Sequence, residues 1–180
     1  MGMATQNKKI PEFRDLTTPL FFIEDLVELT EVQPATLRMW VSRGSVRLLA
    51  STTPGREAGR GNKAQYSIRD ALQFLLFAKL SKFTISPSAI DEECMGDAMN
   101  IILDRLNEIA AGCLYGNSVN PFDDNQINPR FFYIFPHNGK LWADELYGRW
   151  EGGEWITFDV VDFVTRVLKI YNRRTGSSPI

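Results

Sequence analysis

The chain has 180 residues, 44% of them hydrophobic, which suits one or two small domains with apolar cores. No apolar run approaches the ~18 residues of a membrane span, and a net charge of −2, taken over the whole chain, argues against nucleic-acid binding. The two cysteines, Cys94 and Cys113, are expected to be free thiols of a cytosolic protein rather than a disulfide framework.

Residues 1–19 are polar, contain Pro11 and Pro19, and read as a flexible N-terminal arm. They lack the apolar stretch of a signal peptide, and Gln6 stands where a myristoylation site would want a hydroxyl. From residue 20 the pattern sharpens. Ile23-Glu24-Asp25-Leu26-Val27-Glu28-Leu29 predicts a short helix, and Val32-Gln33-Pro34 leads into a second, Ala35 to Arg43, stopped by Gly44. Val46-Arg47-Leu48-Leu49-Ala50 suits a first wing strand. The stretch 51–62 holds Pro54, Gly55, Gly59 and Gly61 and reads as a long tip, and Lys63-Ala64-Gln65-Tyr66 suits a returning strand. Ser67, with Asp70 three residues on, caps the next helix, whose residues are apolar almost all round and therefore call for burial on more than one side.

Two short helices with a tight joint and a basic wing are the parts of a winged helix-turn-helix that reads duplex DNA. Local charge agrees. Residues 32–82 hold nine basic and two acidic residues, net +7, against −3 for residues 1–31 and −6 for residues 83–180. A local basic patch, not the overall balance, sets phosphate attraction.

Ser86-Pro87-Ser88 opens a further helical stretch through roughly residue 111, with Pro87 suited to its first turn; one helix, or two broken near Gly96, both fit. Residues 116–130 have loop composition. Phe131 to Phe135 is strand-like, His137-Asn138-Gly139 is a turn, and Lys140-Leu141-Trp142-Ala143 can pair back as a hairpin. After a turn at Gly152-Gly153, Asp159 opens a helix with Val160, Phe163, Val164, Val167, Leu168 and Tyr171 on one face and Arg173 and Arg174 at its end.

Thr36-Leu37-Arg38-Met39-Trp40-Val41-Ser42-Arg43-Gly44, Tyr66-Ser67-x-x-Asp70 and Phe83-Thr84-Ile85-Ser86 together resemble the MerR family of bacterial regulators and its shorter phage and excisionase-like relatives, over residues 22–91. The resemblance implies a recognition helix with Leu37 and Trp40 facing the core and Arg38 and Arg43 reaching DNA. The chain departs from the family pattern at Glu31, where the turn usually has Gly. It departs also at Ala64, where the wing usually has Arg, and in a longer wing tip; Arg60 and Lys63 stand in for that arginine. The long dimer helix with effector cysteines is not evident, so DNA binding is implied more firmly than inducer sensing.

The DNA-binding residues expected are therefore Thr36, Arg38, Arg43, Arg47, Arg56, Arg60, Lys63 and Tyr66. Arginine can take the O6/N7 edge of guanine bidentately or clamp phosphate, and a threonine near the helix start can touch phosphate or a thymine methyl. The competing reading is an ordinary amphipathic helix with solvated arginines. The aromatic C-terminal region, with Phe132, Trp142, Trp150, Trp155 and Phe163, reads as core or dimer contact, as a ligand pocket, or as a base-stacking platform.

Catalysis is not expected. There is no P-loop, dinucleotide fingerprint or serine elbow. The sole histidine, His137, sits in a turn, Cys94, Cys113 and His137 lack paired-ligand spacing, and Asp123-Asp124 and Asp144-Glu145 read as solvated loop acids. The expected fold is mainly helical with small β elements (α+β): a flexible arm at 1–19, a winged helix-turn-helix at 20–85, a helical linker or dimerisation segment at 86–115, and a small α/β region at 116–180. The expected role is a cytoplasmic, nucleoid-associated regulator, homodimeric on double-stranded DNA, without cofactor, metal or membrane, and with a small-molecule effector open. The alternatives are a phage architectural protein, excisionase-like or a small packaging subunit, and a protein- or ligand-binding module that uses the aromatic region.

Overall fold

A computed structural model of the chain describes residues 16–48, 64–83, 85, 90, 92–110, 131–137, 140–144 and 156–176. Among these residues there are five helices and one small sheet: α1 (Ile23–Thr30), α2 (Pro34–Ser42), α3 (Ile68–Lys82), α4 (Glu92–Ala110), β1 (Phe131–His137), β2 (Lys140–Asp144), β3 (Ile156–Asp159) and α5 (Val160–Thr175). The fold is thus mixed, helical with a three-stranded antiparallel sheet in the order β2-β1-β3. The chain divides into two compact units, one formed by Met1–Lys79 with Thr165–Ile180 and the other by Leu80–Val164. This division differs from the sequence-based segmentation, because the last residues of the chain count with the first.

In the first unit, helix ends are fixed by local chemistry. The Asp25 carboxylate accepts a hydrogen bond from the Phe22 N–H at 2.7 Å, which starts α1. At its far end the Thr30 hydroxyl donates to the Leu26 carbonyl at 2.6 Å and accepts from the Val32 N–H at 3.2 Å. Glu31 turns the chain with a left-handed φ of 61°. Pro34 opens α2, where its missing N–H is not needed. Gly44, at φ 70°, closes it as expected, and the Ser45 and Val46 N–H groups converge on the Trp40 carbonyl at 2.9 and 3.2 Å. The cap of α3 is reciprocal. Asp70 accepts from the Ser67 N–H at 2.9 Å and the Ser67 hydroxyl at 2.8 Å, while the Asp70 N–H donates to Ser67 Oγ at 3.1 Å.

Of the two expected wing strands, only residues 46–48 and 64–66 are among the described residues. Val46, Arg47 and Leu48 lie in no strand. Tyr66 bridges Phe21: its N–H donates to the Phe21 carbonyl at 2.8 Å, and its carbonyl accepts from the Leu20 and Phe21 N–H groups, both at 2.9 Å. The end of the basic stretch is therefore tied to the residue that leads into α1. The remainder of the expected wing, 49–63, lies outside the described residues.

Phe21, Leu26, Leu29, Leu37, Trp40, Val46, Tyr66 and most of α3 are buried, as are Val167, Leu168, Ile170 and Tyr171 from α5. Trp40 lies 6.1 Å from Phe77, and Tyr66 meets Phe74 edge-on at 5.6 Å. Burial on nearly all sides explains the all-round apolar composition of α3.

In the second unit β1 is the central strand. It pairs with β2 so that Phe135 faces Trp142 and His137 faces Lys140, with Asn138-Gly139 between the strands, the hairpin expected from sequence. β3 adds a third strand on the other edge, with Phe132 opposite Phe158. These two rings stack at 4.8 Å, and Phe163 meets them edge-on at 6.5 and 5.9 Å. α4 is one helix, unbroken at Gly96, and packs on β1 and β2 with Cys94, Met95, Ala98, Met99, Ile102 and Leu106 buried. Asp159 accepts from the Asp162 N–H at 3.2 Å and so starts α5, as its sequence position suggested.

Candidate nucleic-acid interface

Helix α2 divides cleanly by side. Leu37 and Trp40 are buried, which anchors the helix through its short apolar side. Ala35, Arg38, Met39 and Ser42 are exposed. Their spacing, i, i+3, i+4, i+7, puts them on one outward stripe. Thr36 is half-buried beside it, and its N–H is already bound to the Gln33 carbonyl at 3.0 Å, which leaves only its hydroxyl for a ligand. Arg43, the residue after the last turn, and Arg47 are exposed. Neither Arg38 nor Arg43 pairs with a carboxylate among the described residues. The outward stripe of α2 carries no acidic side chain.

Of the other residues expected to meet DNA, Arg56, Arg60 and Lys63 lie outside the described residues. Tyr66 is placed differently from the expectation. It is only 3% exposed and closes the unit through Phe21 and Phe74, so its ring is structural. Burial raises the pKa of its hydroxyl; the Arg38 charge works against this and Asp70 adds to it. The Arg38 guanidinium therefore lies within electrostatic reach of the Tyr66 hydroxyl.

The carboxylates of α1 are engaged by α5. Arg174 reaches Asp25 through Nη2 at 2.8 Å to both oxygens and through Nε at 3.1 and 3.3 Å. Arg173 binds Glu28 at 2.8 Å and Asp25 at 3.2 Å, and Arg166 lies 3.6 Å from Glu31. Arg174 also covers the Phe22 ring at 4.8 Å. Three acidic side chains that precede α2 are thus neutralised within the unit, which lessens their repulsion of a polyanion. Sequence reading placed Arg173 and Arg174 at a helix end but missed these partners, because nothing local marks a pairing across so much chain. The exposed Met39 was missed too; a helical projection of α2, with Leu37 and Trp40 inward, would have placed it outward.

Among the aromatic candidates, Phe132 and Phe163 are 0% and 1% exposed. They are consumed by the core of the second unit, not left open for a second copy or a ligand. Trp142 is half-buried on β2. Trp150 and Trp155 lie outside the described residues. Among the described residues no group of metal-ligating side chains converges, and no helix is long and apolar enough to cross a membrane.

No protein-family model matches the chain, and no curated protein is significantly similar to it.

Proposed function

We propose that this protein is a sequence-specific, double-stranded DNA-binding regulator of the winged helix-turn-helix, MerR-like type, with α2 as its recognition helix. The observation that carries the reading is the outward stripe of α2. It is held rigidly by Leu37 and Trp40, offers Arg38, and has no carboxylate, with Arg43 and Arg47 exposed just beyond it. A nine-residue helix of this kind, three residues after an eight-residue one, suits insertion into a major groove. The net +7 of residues 32–82 supplies the non-specific phosphate attraction. Arg56, Arg60 and Lys63 are assigned to phosphates or the minor groove beside it. A homodimer on a palindromic site follows from the weak specificity of a single module.

Selection from a random duplex library at two salt concentrations tests this. An enriched palindrome with affinity falling steeply in salt is the expected result, with a slope of about −0.9 per phosphate neutralised. Salt-sensitive binding with no enriched sequence would favour the architectural role. Absence of binding at both salts would overturn the reading and turn attention to the aromatic C-terminal region.

A further inference from the structure

We infer that Met39 reads a pyrimidine 5-methyl group in the major groove, beside the guanine taken by Arg38. The inference rests on the DNA-binding reading above and adds the base feature that α2 selects.

Among the described residues only two large apolar side chains are exposed, Met39 and Phe83. Met39 is 36% exposed in the middle of a helix whose neighbouring positions, Leu37 and Trp40, are fully used by the core. It shares its stripe with Ala35 and Ser42 and adjoins Arg38. The Ser42 hydroxyl is turned back to the Met39 carbonyl at 3.0 Å, so the polar atom nearest in the stripe is already occupied. The result is a small neutral strip flanked by one cation and no anion.

Duplex DNA suits this strip by elimination. The major-groove edges of the bases offer acceptors (N7, O6, O4), amino donors, and the 5-methyl of thymine. A thioether has no donor and is a weak acceptor, so the methyl is the one feature Met39 complements. Arg38 complements the guanine acceptors. Adjacent helix residues rise by ~1.5 Å and point about 100° apart, so Arg38 and Met39 address different, neighbouring base pairs. Ala35, lacking bulk, lets the helix sit close enough for a methyl contact. The same methyl is carried by 5-methylcytosine, and the two sources are separable by experiment.

The test uses the full-length protein and the site enriched from the duplex library. Each thymine of a half-site is replaced in turn by deoxyuridine, which removes the methyl alone. At one thymine next to an enriched guanine, the wild type is expected to lose about four-fold in affinity, the factor that burying one methyl group gives. Met39→Ala should bind the thymine and uridine duplexes equally, while Met39→Leu, still apolar, should keep part of the difference. Cytosine placed at that step should bind poorly, and 5-methylcytosine there should recover affinity if the methyl alone is read; recovery only with thymine would narrow the recognised base to thymine. Equal affinity for every uridine duplex, or a Met39→Ala variant as sensitive as the wild type, would overturn the inference and leave DNA binding standing. Loss of all duplex binding in the wild type would remove the inference together with the reading beneath it.

Discussion

Arg174 grips Asp25 side-on, with Nη2 at 2.8 Å from both carboxylate oxygens and Nε at 3.1 Å from one of them. The pair joins residues 149 positions apart, and the carboxylate is 2% exposed while it also accepts the Phe22 N–H that starts α1. One side chain therefore caps a helix and anchors another.

Removing Asp25 should be costly. Asp25→Ala deletes the cap and the partner of two arginines, but Arg173 and Arg174 keep 51% and 34% side-chain exposure and can return to water. The expected loss is about 2–3 kcal/mol, below the range for a pair buried at both ends. Urea denaturation of Asp25→Ala, Arg174→Ala and the double variant measures it. A coupling energy near zero would show that the two side chains act independently.

Glu31 offers the opposite change. A non-glycine residue at φ 61° carries a steric penalty of ~1–2 kcal/mol, and glycine removes it at the expense of unfolded-state entropy. The substitution also deletes the exposed ion pair with Arg166, which at 3.6 Å contributes little. Glu31→Gly should raise stability by about 0.5–1 kcal/mol; a lowered melting temperature would mean that the glutamate side chain does more than its geometry suggests.

Ser67 and Asp70 are both fully buried, so their reciprocal cap has no water to fall back on. Ser67→Ala leaves the Asp70 carboxylate and the Asp70 N–H each short of a partner. A loss of about 1–2 kcal/mol is expected, at the upper end of cap deletions. The same denaturation assay reads it.

Arg38→Ala separates binding from folding. The side chain is exposed, so unfolding should shift by no more than ~0.5 kcal/mol. Affinity for the selected duplex should fall by about 1–3 kcal/mol if Arg38 contacts a base. Unchanged binding, measured by titration at fixed salt, would rule α2 out as the recognition helix.

Alkaline pH should weaken the fold through Tyr66. Burial raises its folded pKa above the ordinary 10.0, so the native state holds the phenolic proton more tightly than the unfolded chain does. Stability is therefore unaffected below about pH 10 and falls above it. The Arg173 proton, held by Glu28 and Asp25, acts in the same direction at still higher pH. Tyr66→Phe should flatten the fall that begins near pH 10; an unchanged pH profile would place its origin elsewhere.

Much of the local architecture was legible because its signals are local. Ser67 with Asp70, Gly44 after α2 and Asp159 before α5 each act within a few residues, and the structure uses each where the sequence placed it; the expected hairpin of β1 with β2 forms as well. The tertiary partners were not legible. Tyr66 could pair with any extended neighbour, and nothing local in the sequence marks its bridge to Phe21, far earlier in the chain. Phe132 and Phe163 read equally well as interior or as contact surface, since the burial of an aromatic depends on what stacks upon it, here Phe158. Met39, by contrast, was legible in principle, since Leu37 and Trp40 were already expected to face inward and the helical period then turns Met39 outward.

The membership of Thr165–Ile180 in the first unit bears on how the protein is made. A nascent chain that has emerged only as far as α3 has Asp25 and Glu28 of α1 without Arg173 and Arg174. Completion of that unit must wait until α5 leaves the ribosome. Until then the Asp25 carboxylate, 2% exposed in the finished unit, has no arginine beside it, so a polypeptide truncated before α5 is expected to hold this unit less firmly than the full chain does.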